Sequence, residues 1–167
     1  VTADCSVTSK QTGEQKKSQQ EVYEEAMEAY NSANYSTALE LFTEVGAYED
    51  ATNYVEKCNY KLAYLMLQDG KHTEAMNYMQ QVTSQELRTE LEEQYQLSLG
   101  KAAIEAGNYE DAVVCFENVK DYMKKAELLD QIVEHYITNK DMTAAQKVIQ
   151  QIQSGNAARA AELQKEL

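Results

Sequence analysis

The sequence predicts an all-α fold, an α-solenoid in which antiparallel helix hairpins stack side by side. The first observation is composition: the 167 residues include no proline, although average usage would supply about eight. The second is apolar residues at helical spacing from Glu21 onwards. The third is an internal repeat of about 37 residues, which predicts about 3.5–4 stacked hairpin units.

The repeat appears when the sequence is shifted against itself. In the second helix of each unit the aligned sets are Tyr35, His72 and Tyr109; Ala38, Ala75 and Ala112; Phe42, Met79 and Phe116; and Val45, Val82 and Val119, followed by a shortened copy at Met142, Ala145, Ile149 and Ile152. In the first helix they are Tyr23, Tyr60 and Leu97; Ala26, Ala63 and Gly100; and Tyr30, Leu67 and Ile104. We interpret the small residues as points where two backbones approach closely, with the larger apolar residues filling the space beside them.

The predicted elements follow from breaks in this pattern. Residues 1–20 are rich in Ser, Thr, Gln and Lys, and they are predicted to be a flexible polar tether that becomes helical near its end. Residues 21–167 are predicted to form one helical repeat domain. The expected helices are 14–32, 35–45, 48–69, 72–82, 84–106, 109–119, 121–138, 141–153 and 156–166.

Glycine and turn residues mark the expected helix ends. Left-handed C-caps are expected at Gly70 and Gly107. The predicted ends are Gly70 and Gly107 for first helices and Gly46 and Gly155 for second helices, and the predicted starts are Thr73 and Asn108. No breaker interrupts 48–69 or 84–106, so each is predicted to be a single long helix.

With these residues the sequence resembles the tetratricopeptide superfamily over about residues 21–153. The family pattern has a small residue in the first helix and Ala-x3-Phe in the second. Here the first element is Ala26, Ala63 and Gly100, and the second is Ala38 to Phe42 and Ala112 to Phe116, with Ala75 to Met79 as a variant. The chain departs from the family in its period, about 37 residues where the family has about 34. It also lacks the first-helix Trp and the closing Pro.

The motif Tyr-Glu-Asp-Ala at 48–51 is similar to divergent repeats in surface and membrane-linked proteins of Gram-positive bacteria. This resemblance implies the extracytoplasmic face of a membrane-anchored bacterial protein in preference to the cytoplasm. The chain begins with Val1 and not Met, and we expect it to be a piece of a longer protein.

Charge and hydropathy disfavour two classes of partner. The formal net charge is −13, and the only arginines are Arg88 and Arg159. Nucleic-acid phosphates and anionic membrane surfaces would therefore be repelled. No apolar run approaches the ~20 residues that a membrane-spanning helix needs, so we expect no membrane insertion by this segment. The ordinary interpretation of the acidity is a solubilising surface, and the alternative is a dedicated basic partner.

No constellation of residues predicts catalysis, a cofactor or a metal site. His72 is expected to pack like the tyrosines with which it aligns, and His135 is expected at a helix surface or partly packed. The cysteines have no metal-binding spacing. We expect Cys58 and Cys115 to be buried small apolar residues, whereas the sequence suggests no role for Cys5. The expected class is therefore a protein that is not an enzyme.

The resemblance implies a scaffold that binds a protein or peptide partner on a concave face lined by the first helices. The first explanation for the twelve tyrosines is packing. The alternative is a tyrosine-rich groove suited to peptide recognition. The candidate binding residues follow the small first-helix residue by one and five positions: Met27, Asn31, Tyr64, Gln68, Lys101 and Glu105. The second hypothesis is a structural one. It makes the chain a self-associating stalk or assembly element, such as a homodimer, in a membrane-anchored surface protein.

Overall fold

A computed structural model describes residues 16–167, and within this range the chain forms nine α-helices and no strand. The predicted all-α class is confirmed. The helices are α1 (Gln19–Asn31), α2 (Tyr35–Val45), α3 (Ala51–Gln68), α4 (His72–Met79), α5 (Gln85–Glu105), α6 (Tyr109–Glu117), α7 (Tyr122–Thr138), α8 (Met142–Gly155) and α9 (Ala157–Gln164). None of these helices is long and apolar enough to cross a membrane.

The predicted helix boundaries are close to the observed ones, and only three of them differ by three residues or more. Residues 1–15, and with them Cys5 and most of the predicted tether, lie outside the described residues. Helix α1 begins at Gln19 and not at 14, because the Ser18 hydroxyl accepts a hydrogen bond from the Glu21 amide and caps the helix. Helix α3 begins at Ala51 and not at 48, and α4 ends at Met79 and not at 82.

Helices that follow one another in the chain pack against one another. We call α1, α3, α5 and α7 the first helices and α2, α4, α6 and α8 the second helices. Each first helix packs against the second helix that follows it, α2 also packs on α3, and α9 covers α8. In addition α3 contacts α5, α5 contacts α7, and α6 contacts α8. Burial therefore comes from neighbours in sequence, as expected when each hairpin alone cannot bury its apolar side.

The small residues mark the close approach within the first three hairpins, as the repeat predicts. Ala26, Ala63 and Gly100 are buried, and so are the second-helix alanines that align with one another. At Gly100 a Cβ atom would overlap the ring of Phe116, which is itself fully buried. The phenylalanine therefore occupies the space that a side chain at position 100 would need.

The turn between first and second helix needs a left-handed residue at its centre. Gly70 and Gly107 fill this position with φ of +72° and +79°, as predicted. Ala33 and Lys140 occupy the same position in the other two hairpins with φ of +59° and +60°. A side chain makes this backbone conformation unfavourable, so two of the four turns carry strain.

The expected helix end at Gly155 is confirmed, although this glycine also has a packing role. Gly155 is the last residue of α8, and it adopts no positive φ. A Cβ atom there would overlap the ring of Tyr122, so this glycine permits a close contact with α7. Helix α4 begins at His72, the first residue of the predicted range 72–82 and one residue before Thr73. Asn108 precedes α6 as expected, although its side chain caps no amide.

The buried core is divided into three clusters along the chain, joined by the long helices. Helix α3 contributes Cys58 to the first cluster and Ala63 to the second. Helix α5 contributes Leu91 to the second cluster and Leu97 to the third. The expected burial of Cys58 is confirmed, whereas Cys115 is only half-buried. Because α3 and α5 each belong to two clusters, they couple the folding of neighbouring hairpins.

Replacing Gly100 by Leu should lower the free energy of unfolding by about 1–3 kcal/mol or more, because the new side chain overlaps Phe116. Thermal or urea unfolding followed by circular dichroism measures the change. Ala102→Leu is the matched control, since Ala102 is exposed on the same helix, and it should leave stability nearly unchanged. Equal stability of the two variants would show that position 100 is not a close contact.

Replacing Lys140 by Gly should raise the free energy of unfolding by about 0.5–1 kcal/mol, because the left-handed backbone of this residue then costs little. The same substitution at Lys147, inside α8, is the control and should destabilise by a similar amount. Urea unfolding measures both. A loss of stability at both positions would contradict the strained turn.

Candidate functional site

A groove lies between the two central first helices. Its cavity has a volume of about 290 Å³, and the side chains along it include Tyr64 and Gln68 from α3 and Gln94, Ser98, Lys101 and Glu105 from α5. We call this feature the α3/α5 groove. Positions 94, 98, 101 and 105 lie about 37 residues after 57, 61, 64 and 68, and both sets have the spacing of one helix face. The repeat thus places two equivalent stripes side by side.

Four of the six candidate binding residues line this groove, namely Tyr64, Gln68, Lys101 and Glu105. The structure does not bring Met27 and Asn31 into it. Met27 is half-buried and packs on the first core cluster, and Asn31 is the exposed last residue of α1. The α3/α5 groove is therefore built by two adjacent repeats and not by all of the first helices.

Ser98 and His72 form a hydrogen-bonded pair beside the groove. The Ser98 hydroxyl donates to the Leu67 carbonyl at 2.8 Å, and its oxygen lies 2.8 Å from His72 Nε2. Since the hydroxyl proton goes to the carbonyl, Nε2 is the donor to Ser98. A serine nucleophile needs the opposite polarity, with histidine accepting the hydroxyl proton. The pair thus links α3, α4 and α5 through hydrogen bonds.

The tyrosines combine packing with surface exposure, since all twelve are half-buried. Six rings form a continuous ladder in the N-terminal hairpins, with centroids 4.9–5.7 Å apart: Tyr48, Tyr23, Phe42, Tyr54, Tyr30 and Tyr35. Near the groove, Tyr60 donates a hydrogen bond to Glu90 at 2.7 Å. Burial and this bond raise the pKa of Tyr60 to about 12. Packing explains most of the tyrosine content, and Tyr64 remains available at the groove.

His135 is also partly packed, as expected. Its ring stacks on Tyr109 with the centroids 3.8 Å apart, and it contacts Tyr136 edge-on. Position 135 lies about 37 residues after Ser98, just as Tyr109 follows His72. The two histidines therefore take part in equivalent contacts between a second helix and the next first helix.

Among the described residues, no group of three or more His, Cys, Asp or Glu side chains could hold a metal ion.

An acidic residue recurs at a structurally important position that the sequence interpretation missed. The carboxylate of Glu56 on α3 accepts hydrogen bonds from the Thr83 amide (2.7 Å), the Thr83 hydroxyl (3.0 Å) and the Ser84 amide (2.5 Å). These donors lie just before α5, so α3 holds the start of the next first helix. The Ser84 amide is the main cause that lowers the pKa of Glu56.

The same position recurs in the following hairpins. Glu93 on α5 forms an ion pair with Lys124 at 2.7 Å, and Lys124 is the main cause that lowers the pKa of Glu93. Asp130 on α7 pairs with Arg159 of α9 at 3.3 Å. Glu56, Glu93 and Asp130 are spaced by about 37 residues, so the repeat alignment itself contained the signal.

A buried lysine joins the C-terminal hairpins. Lys125 on α7 donates through Nζ to the Phe116 carbonyl (2.7 Å) and to Gln151 Oε1 (3.1 Å). Gln151 in turn donates to the Val113 carbonyl at 3.0 Å. Burial lowers the pKa of Lys125. The sequence gives no sign of this network, since the partners come from three helices.

A wider cleft lies on the side of the second helices. Its volume is about 520 Å³, and its walls include Met76 and Met79 from α4, Arg88 and Tyr95 from α5, and Asn118 after α6. It forms where α4 and α6 are not packed against each other. This cleft is larger than the α3/α5 groove, in which four of the predicted residues converge, and it is not on the predicted binding side.

No protein-family model matches this chain, and no curated protein or solved structure is significantly similar to it. A functional conclusion therefore depends on the residues of the chain and their arrangement.

Replacing Glu56 by Gln should lower the free energy of unfolding at pH 7 by about 1–2 kcal/mol, because the amides before α5 lose a charged acceptor. The pKa of Glu56 is lower in the folded state, so its contribution is complete above the ordinary value of 4.5 and is lost as the pH falls through the folded pKa. The difference in the free energy of unfolding between the wild type and the Glu56→Gln variant should therefore shrink as the pH falls. Urea unfolding between pH 7 and pH 3 measures it.

Glu40→Gln is the control for this experiment. Glu40 is exposed on α2, and its replacement should change stability by less than about 0.5 kcal/mol. If the two variants unfold alike at every pH, Glu56 does not tether α5.

Proposed function

We propose that this chain is a non-catalytic scaffold of the tetratricopeptide-like class, an α-solenoid that binds an extended peptide segment of a partner protein in the α3/α5 groove. The observation that carries the proposal is the convergence of Tyr64, Gln68, Lys101 and Glu105. These residues come from equivalent positions of adjacent repeats, and they differ from copy to copy in chemistry. Repeat proteins use variable residues on a shared framework in this way.

The groove chemistry suits a peptide. Gln68 and Gln94 carry amides that can both donate to and accept from a peptide backbone. Tyr64 supplies a half-buried ring with a hydroxyl, a combination enriched at protein interfaces. Lys101 and Glu105 add one charge of each sign. Such a mixture favours side-chain and backbone recognition over the capture of a phosphate group.

The solenoid part of the proposal is supported by the packing. The small residues and the Ala-x3-Phe pattern that carry the family resemblance all lie at buried contacts within hairpins. First helices contact first helices in the central part of the chain, which is the neighbour relation of stacked hairpins.

Self-association is the second candidate function, favoured by apolar residues exposed elsewhere. Met123 at the start of α7 is 81% exposed and Val114 on α6 is 55% exposed. Either could contact a second copy of the chain. Light scattering after size exclusion distinguishes the two functions, since a free binding module elutes as a monomer and an assembly element as a dimer.

The proposal predicts that Tyr64→Ala combined with Lys101→Ala weakens peptide binding by more than tenfold, about 1.4 kcal/mol, without unfolding the chain. Peptides are first selected from a random library displayed on phage, and the affinity of a selected peptide is then measured by isothermal titration. Glu40→Ala combined with Glu117→Ala, both exposed on second helices, is the control. Loss of binding in the control alone would place the site on the other side of the chain.

A further inference from the structure

Helix α3 has an unusual charge for a chain with 28 acidic residues. It contains Lys57 and Lys61, and its only acidic residue is Glu56. The Glu56 carboxylate is occupied by the three hydrogen bonds to Thr83 and Ser84. The two lysines lie on the stripe that continues to Tyr64 and Gln68, with spacings of three and four residues. This stripe of α3 is therefore positively charged at its N-terminal end.

The lysines are held by rings and not by carboxylates. Lys57 Nζ lies 4.6 Å from the centroid of the Tyr54 ring, and Lys61 Nζ lies 5.9 Å from that of Tyr60. Neither lysine, nor Lys101 on α5, is within ion-pair distance of an acidic group among residues 16–167. Contacts of cations with rings leave the ammonium groups available to an anion.

Charge changes sign along the α3 stripe, which runs from Lys57 and Lys61, outside the lining of the α3/α5 groove, to Tyr64 and Gln68 within it. Asp69 and Glu105 line the groove itself, where α3 and α5 finish, and Lys101, which also lines it, lies one turn before Glu105. Glu90 is close to the lysine end through its bond with Tyr60, but the two lysines outnumber it. From position 57 to position 68 the helix rises about 16 Å, which matches about five residues of extended chain.

We propose that the α3/α5 groove, together with the α3 stripe that leads into it, selects an extended segment of about five residues with side-chain carboxylates beside Lys57 and Lys61 and no acidic residue beside Asp69 and Glu105. This inference rests on the proposed peptide-binding function. The charge gradient fixes the direction of the bound segment as well as its composition, because the reversed segment would bring like charges together.

The overall charge of −13 opposes the approach of any acidic partner at low ionic strength. At 0.15 M salt the Debye length is about 8 Å, so distant repulsion is screened while contacts in the groove persist. Binding is therefore measured at that ionic strength.

The test starts from the selected phage peptides, resynthesised with a free or an amidated C-terminus. We expect acidic residues clustered at one end of the selected sequences. We also expect Lys57→Gln combined with Lys61→Gln to weaken binding at least tenfold, and Lys147→Gln to leave it unchanged. Replacing Asp and Glu of the peptide by Asn and Gln should weaken its binding to the wild-type chain by a similar factor. The same replacement should weaken its binding to the lysine variant little further. Amidation should have no effect, because side chains and not the chain terminus supply the carboxylates.

The second arm concerns the acidic end of the groove. Asp69→Asn combined with Glu105→Gln should improve binding of a peptide that carries an acidic residue at both ends by about tenfold. Selected peptides that are neutral or basic, or affinities that do not respond to the lysine changes, would overturn the charge-gradient inference and leave peptide binding intact. A wild-type chain that selects no peptide would overturn the proposed function itself.

Discussion

The structure depends on one constraint, the close approach of the two helices in each of the first three hairpins. Ala26, Ala63 and Gly100 contribute no side chain beyond Cβ at this contact, and the fully buried Phe42 and Phe116 occupy space beside it. A close approach buries apolar area that a single hairpin could not otherwise remove from water. The remaining residues of each helix are then free to vary, and this is what makes a variable surface on a fixed framework physically possible.

Neighbouring hairpins are joined by a different kind of contact. An acidic side chain on one first helix, Glu56, Glu93 or Asp130, reaches polar groups at the start of the next first helix or of α9. The bonds of Glu56 satisfy amides before a helix start, whereas Glu93 and Asp130 form ion pairs with Lys124 and Arg159. Apolar packing therefore stabilises each hairpin, and polar contacts join neighbouring hairpins. The long helices α3 and α5 connect the three core clusters.

Sequence reasoning predicted what depends on local spacing. Helix positions, the buried small residues and the glycine turns at Gly70 and Gly107 all follow from periodicity and backbone preference. It missed contacts whose partners are distant in the chain. The bond of Ser98 to Leu67, the network of Lys125 and Gln151, and the packing of Gly155 on Tyr122 each require the folded arrangement. Of the six binding residues that the family resemblance implied, four lie in the α3/α5 groove and two lie outside it.

The most direct test of the binding surface is a map of amide chemical shifts, recorded by NMR as a selected peptide is added to the isotope-labelled chain. If the partner lies in the α3/α5 groove, the largest changes occur at Gln68, Ser98 and Lys101, while Met76 and Arg88 in the wider cleft on the second-helix side stay unchanged. The reverse pattern, with changes at Met76 and Arg88 and none in the groove, would contradict the assignment of the first helices as the binding side.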